Sequence, residues 1–133
     1  MKELNELHMP EDARYSENHE WAKPSDGVYL IGITDYAQDQ LGDIVFVDLP
    51  EVGAVFHRGE KFGTVESTKA VSELCTPLGG EVVAVNAKLE DAPELVNQDP
   101  YESGWMISIR IEAPEEGDEM LDREEYLETL KGL

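Results

Sequence analysis

In the stretch WMISIRI, residues 105–111, a large apolar side chain stands at every second position: Trp105, Ile107, Ile109 and Ile111. A β-strand puts alternate residues on one face, whereas a helix scatters these four around its circumference. The run therefore reads as a strand with one face against a core. Similar runs recur along the chain and end at glycine or proline. EWAKPSDGVYLIGIT reads as two strands about a turn at residues 24–27, with Tyr29, Ile31 and Ile33 on one face. DIVFVDLPEVG reads as a strand entering a proline turn, and GEVVAVNA as a further strand.

Helical signals are fewer. DYAQDQLG reads as a short helix, with Asp35 as N-cap, Gln38 three residues on and Gly42 as the stop. EDAPELVNQDP reads as one helical turn between prolines. In MLDREEYLETLKG, Leu121, Tyr126, Leu127 and Leu130 fall at helical spacing after a capping Asp122. Six or more short strands with a C-terminal helix make the chain mainly β, a sandwich or flattened barrel. One weak repeat, P-x-x-G-x-V, occurs at residues 50–55 and again at 77–82, which suggests two similar strand–turn–strand halves.

The 133 residues suit one domain, read as a flexible segment over 1–12 and a single domain over 13–133. Apolar residues make up 41%, enough for a packed core. No apolar run reaches about 18 residues, so no spanning helix is expected. The first twenty residues lack an apolar signal core and an Arg-rich transit pattern, so the cytoplasm is the expected location. A net charge of −20 excludes nucleic acid as a partner and disfavours an anionic membrane surface. That charge also favours a monomer. The single Cys75 rules out an internal disulfide. His8, His19 and His57 have no metal-ligand spacing, so no metal is expected.

Lysine is scarce, and Lys69 stands between Glu66 and Glu73 in GTVESTKAVSEL. Val71, Leu74 and Cys75 fit a helical face with Ser67 as cap. Equally, KFGTVE and AVSELC fit two strands of a hairpin with Thr68 and Lys69 at its tip, although no Asn-Gly or Asp-Gly marks that turn. Three roles compete for Lys69. A surface lysine paired with acids contributes about 0–1 kcal/mol. A Schiff-base amine needs a lowered pKa, which two flanking carboxylates oppose. A covalent attachment point needs only a lysine displayed on a tight turn, within reach of a modifying enzyme.

GTVESTKAVSELCTPLGGEVVAVN resembles the lipoyl-lysine segment of the glycine cleavage system H proteins. YSENHEWAK, IGITDYAQDQLGDIVFVDLPEVG, LEDAPELVNQDPYESGWMISI and the acidic C-terminal helix resemble the same family, in order, from about Ala13 to Leu130. The resemblance implies that Lys69 carries lipoate in amide linkage at the tip of a hairpin. It implies a hybrid barrel-sandwich, like lipoyl and biotinyl carriers, with helices added at both sides. The implied function is a non-catalytic shuttle. Glycine decarboxylase, a pyridoxal-phosphate enzyme, loads an aminomethyl group onto the arm. The aminomethyltransferase unloads it, dihydrolipoyl dehydrogenase reoxidises the dithiol, and lipoate-attaching enzymes install the group. Tethering supplies the cargo at high effective concentration.

In the family the loaded arm folds into a cleft that limits water access. Carried over, that cleft is lined by His19, Glu20 and Trp21, with residues 33–40, Ile33 to Gln40, as the opposite wall. Glu20 is the expected contact for a protonated amine. Two positions depart from the family pattern: Cys75, read as a small buried apolar residue, and Leu78-Gly79 at the following turn.

Other carriers fit less well. Biotinyl carriers flank their lysine with methionines, where Thr68 and Ala70 stand here. Phosphopantetheine carriers need an Asp-Ser at a helix start. Lipoyl domains of 2-oxoacid dehydrogenases show Asp-Lys at the turn. The nearest rival function is an H-like relay that passes octanoyl or lipoyl groups to other lipoyl-dependent enzymes. A lipoate-free interaction module is opposed by the intact Lys69 segment.

Overall fold

The computed structural model describes residues 2–133. Among the described residues nine strands form two sheets. The larger is built from β1 (Arg14–Tyr15), β2 (Glu20–Ser25), β3 (Val28–Ile33), β5 (Val55–Phe56), β8 (Gly80–Val85) and β9 (Ile107–Ile111). Its order is β1-β2-β3-β9-β8-β5, with every neighbouring pair antiparallel. The smaller sheet holds β4 (Ile44–Asp48), β6 (Lys61–Ser67) and β7 (Val71–Cys75) in the order β4-β6-β7. The helices are α1 (Asp35–Leu41), α2 (Lys88–Asp91), α3 (Leu95–Gln98), α4 (Glu115–Asp118) and α5 (Arg123–Lys131). The architecture is mainly β, as expected, with open sheets consistent with a barrel-sandwich.

Alternation explains which faces meet. Ile31, Val82, Ile107 and Ile109 point inward from the larger sheet. Ile44, Val47, Phe62, Val65 and Leu74 point inward from the smaller one, and Leu89 and Val96 of α2 and α3 close the core. A second apolar cluster joins Met9, Tyr15, Trp21, Tyr101, Tyr126 and Leu130, and it fastens α5 to the β1–β2 side. Residues 2–12, part of the segment 1–12 expected to be flexible, lie against the domain. Lys2 Nζ is 2.9 Å from the Asp35 carboxylate, the His8 N–H donates to it at 2.8 Å, and Met9 is buried.

Several local expectations need correction. Pro24 lies within β2, and the turn is formed by Asp26 and Gly27, with φ 49° and 86°. The N-cap of α1 is Thr34, whose hydroxyl accepts the Ala37 N–H at 3.2 Å. Asp35 instead opens the helix, because its carboxylate is held by Lys2, His8 and Gln38. Trp105 does not share the β9 face. The strand begins at Ile107, since Asn86 Nδ2 draws the Trp105 carbonyl into a loop at 2.7 Å. A short helix, α2, precedes the expected turn between prolines, which is α3. Asp122 caps α5 as expected, in a capping box with Glu125.

The two P-x-x-G-x-V copies lie side by side. Val55 pairs with Glu81 and Phe56 with Gly80, and the Gly53 N–H donates to the Val82 carbonyl at 2.8 Å. The repeat therefore marks a local pseudo-symmetric antiparallel contact.

Candidate functional site at the β6–β7 hairpin

Residues 61–75 form a hairpin, in register from Glu66↔Val71 to Gly63↔Leu74, with a one-residue shift before Lys61↔Cys75. Leu74 and Val65 face the core, which excludes the helical alternative. The tip has no glycine, so other groups must satisfy its backbone. The Ser67 N–H donates to the Ala70 carbonyl at 2.8 Å. Ser67 Oγ accepts the N–H groups of Lys69 and Ala70, each at 3.1 Å. The Thr68 N–H donates to the Asp43 carbonyl at 3.0 Å, tying the tip to the chain after α1. That chain is itself pinned by Asn97. Its Nδ2 donates to the Gly42 carbonyl at 2.9 Å, and its Oδ1 accepts the Ile44 N–H at 2.8 Å.

Lys69 thus sits exposed on a tip braced from both sides. Its stem lies over Gly42, where a Cβ would stand 3.1 Å from Lys69 Cε. Gly42 also adopts a φ of 81°, so a side chain there is disfavoured twice. Neither Ser67 nor Asn97 was singled out from the sequence as a support of the tip. Asn97 bonds residues more than fifty positions away, which no local pattern signals.

From the tip, Val71, Glu73 and Cys75 point to one side of β7, while Ser72 and Leu74 point to the other. This outer face spans roughly 13 Å from Val71 to Cys75 at the strand rise per residue. It ends beside Glu20. The Glu20 carboxylate is buried, accepts the Ser16 hydroxyl at 2.7 Å and also takes the Cys75 backbone N–H. A cavity of about 350 Å³ opens there, lined by Ser16, Glu17, Glu20, Arg58, Thr76 and Glu119 among others.

The remaining expected wall residues lie elsewhere. His19 is half-buried, with Nδ1 2.8 Å from Tyr126 Oη and its ring against Tyr36. Trp21 has no exposed surface, and its Nε1 donates to the Pro100 carbonyl at 3.0 Å. Ile33 pairs with Glu20 across β2–β3 and faces the main core. Gln40 is exposed on the last turn of α1, two residues before Gly42. Of these residues only Glu20 lines the cavity.

Burial sets the electrostatics. It pushes the Glu20 carboxyl up to about 7, against the opposing pull of the Ser16 hydroxyl and the Cys75 N–H. It also holds the His19 imidazole below its ordinary value, which keeps the ring neutral at pH 7. Cys75 is a half-buried free thiol rather than a fully buried one. Burial, then the charges of Glu20 and Glu73, raise it, so little reactive thiolate forms near neutrality.

Glu20 makes stability depend on pH in an uncommon direction for a carboxyl. Its folded value of about 7 lies above its ordinary 4.5, so the folded state holds the proton more tightly. Its contribution is full below about 4.5 and is lost as pH rises through about 7. Glu20→Gln should therefore match the parent near pH 4 and exceed it at pH 8 by on the order of 3 kcal/mol. Urea denaturation at the two pH values checks this; an equal gap at both removes the buried-carboxyl account.

Among the described residues no group of three or more His, Cys, Asp or Glu is arranged to hold a metal ion. No described helix is long and apolar enough to cross a membrane.

Comparison with known proteins points the same way as the hairpin. Residues 13–133 match the family model described as glycine cleavage H-protein. A glycine cleavage system H protein of Anaeromyxobacter sp. (strain K) is 52% identical over 120 residues, 90% of this chain and 94% of that one. One from Listeria monocytogenes serotype 4a (strain HCC23) is 51% identical over 126 residues, 93% of this chain and 99% of its own. The crystal structure of a glycine cleavage system H protein from Mycobacterium marinum superposes with a TM-score of 0.84 at 42% identity. It covers 94% of this chain and 100% of that one. A match along nearly the full length in both sequence and fold places the chain in the glycine cleavage H-protein family.

Proposed function

We propose that this protein is the lipoyl-bearing shuttle of a glycine cleavage system, with lipoate in amide linkage to Lys69. It takes an aminomethyl group from glycine decarboxylase and delivers it to the aminomethyltransferase. Dihydrolipoyl dehydrogenase then restores the disulfide. The chain is a carrier and not a catalyst, works as a cytoplasmic monomer, and receives lipoate from attaching enzymes. The observation that carries this reading is the braced, exposed tip that presents Lys69 within a family-wide match.

The residues fit the group. A primary amine on an exposed residue of a tight turn is open to an acyl donor. Once attached, the lipoyl group supplies a disulfide that accepts the cargo. Ser67, Asp43 and Asn97 keep its root fixed. The outer face of β7 leads from that root to the cavity, where Glu20 meets a protonated amine and the wall limits water. Ser16 and the Cys75 N–H hold the Glu20 carboxylate in place, and Gln40 stands toward the tip end of this track.

Glu20→Ala should leave lipoate attachment unchanged and speed loss of the carried aminomethyl group by about tenfold, as expected for one charge-assisted hydrogen bond. Intact mass against time after loading measures both, and an unchanged rate of loss removes Glu20 from the docking role. The function itself is tested by glycine–bicarbonate exchange with the decarboxylase. The lipoylated protein should support exchange and the unmodified protein should not. Failure of the lipoylated form favours the relay of octanoyl or lipoyl groups instead.

A further inference from the structure

Ser16, Glu17, Asn18 and Glu20 line the cavity, so the turn between β1 and β2 forms one of its walls. The turn closes on itself. The Ser16 N–H donates to the Glu20 carbonyl at 2.9 Å, the His19 N–H to the Ser16 carbonyl at 3.1 Å, and the Glu20 N–H to Ser16 Oγ at 3.1 Å. Ser16 Oγ also donates to the Glu20 carboxylate at 2.7 Å, so the position of that carboxylate follows the shape of the turn. The shape depends on His19. Its φ is 69°, a left-handed conformation that is uncommon for a residue with a Cβ and persists only where the surroundings hold it.

His19 is the one residue of this turn that does not line the cavity. What holds it comes from α5. Tyr126 Oη lies 2.8 Å from His19 Nδ1 and 2.8 Å from Thr34 Oγ1, and Thr34 caps α1. Tyr126 has no exposed surface, and its ring stacks on that of Tyr15, the residue before the turn, with centroids 4.8 Å apart and planes 5° from parallel. One placement of protons gives each of these groups a partner. Thr34 Oγ1 accepts the Ala37 N–H and donates to Tyr126 Oη, which donates to His19 Nδ1. That placement requires a neutral imidazole, the form that burial favours. A phenylalanine ring would stack on Tyr15 equally well. The hydroxyl is different: buried, it needs partners, and those it has are the turn and the cap of α1.

We propose that Tyr126 is a positioning residue for the carried group: its hydroxyl holds His19 left-handed, His19 holds the Ser16–Glu20 turn, and the turn sets where the Glu20 carboxylate meets the loaded amine. The inference rests on Glu20 as the contact for that amine. Neither Tyr126 nor His19 lines the cavity, so both act through Glu20. The same hydroxyl fixes Thr34, so α5 ties the Glu20 turn and the start of α1 to one point.

The test uses the full lipoylated chain, loaded with the aminomethyl group by the decarboxylase and glycine, and follows intact mass against time. Tyr126→Phe keeps the ring and removes only the hydroxyl. It should take up lipoate as the parent does and lose the aminomethyl group about threefold faster or more, the size expected for coupled groups. The double variant Glu20→Ala, Tyr126→Phe should lose it no faster than Glu20→Ala alone, because no carboxylate is left to position. A purely structural role for Tyr126 would instead multiply the two effects. His19→Ala should match Tyr126→Phe, and it tests the same link if Tyr126→Phe does not fold. His19→Asn should recover most of what His19→Ala loses, since its Oδ1 stands where Nδ1 does and asparagine tolerates the left-handed backbone. Urea denaturation identifies the variants that are folded under the assay conditions. A parental rate of loss in a folded Tyr126→Phe or His19→Ala protein overturns the proposal, and so does a double variant whose effects multiply. A parental rate in Glu20→Ala overturns the docking role of Glu20 itself, and this link with it.

Discussion

Lys69→Arg, carried through the lipoylation reaction, should reduce glycine–bicarbonate exchange to the rate of the decarboxylase alone. Arginine keeps the positive charge and a similar length, but its guanidinium stays protonated and does not form the amide. The fold should be unaffected. Lys69 is exposed, and the tip is held by backbone groups together with Ser67, Asp43 and Asn97, none of which involves the lysine side chain. A surface change of this kind alters stability by no more than about 0.5 kcal/mol. Exchange is measured by incorporation of labelled bicarbonate into glycine, with urea denaturation run alongside. Residual exchange well above the decarboxylase background from a folded Lys69→Arg protein would place the working group elsewhere.

Trp21→Ala should cost about 3–5 kcal/mol, the range for removing a fully buried large aromatic. Trp21 is completely buried and stands across the strand pair from Gly32. A Cβ on Gly32 would come 2.7 Å from the indole, so the ring occupies the space that a side chain at that position would need. Its Nε1 donates to the Pro100 carbonyl, and its ring meets Tyr101 at a centroid distance of 5.8 Å. The substitution therefore leaves a cavity and an unpaired buried carbonyl together. Against a typical total of about 5–15 kcal/mol, such a loss is a large fraction of the stability of the whole domain. The shift of the urea midpoint measures it, and a cost below about 1 kcal/mol would contradict the packing role. The same change should leave the chemistry at Lys69 intact under conditions where the variant is folded.

The strands were legible because alternation is a local signal, and Ile107, Ile109, Ile31 and Leu74 report their own burial through it. The hairpin at Lys69 was ambiguous by pattern alone. Val71, Leu74 and Cys75 are spaced for a helix, and the tip offers no glycine turn signal. What decides the structure is a serine hydroxyl that accepts two tip N–H groups, together with the core contact of Leu74. The sequence points to Asp35 as the N-cap of α1, and Thr34 provides it instead. Only the distant Lys2 and His8, which claim the Asp35 carboxylate, determine which of them caps α1. Glu20 was identified by family resemblance, but its burial was not readable. It arises from the Ser16 turn and from Cys75, which lies 55 positions further along the chain. Trp21 and Ile33 share the local segment of Glu20 yet face opposite cores, because neighbouring strand positions alternate and paired positions need not line the same cavity.

The most direct test of the account is the intact mass of the protein and of Lys69→Arg, each expressed with lipoate and a lipoate ligase. The account predicts a gain of one lipoyl group in the parent, located by peptide mass on Lys69, and no gain in the variant. An unmodified parent, or an equal gain in both proteins, would contradict it.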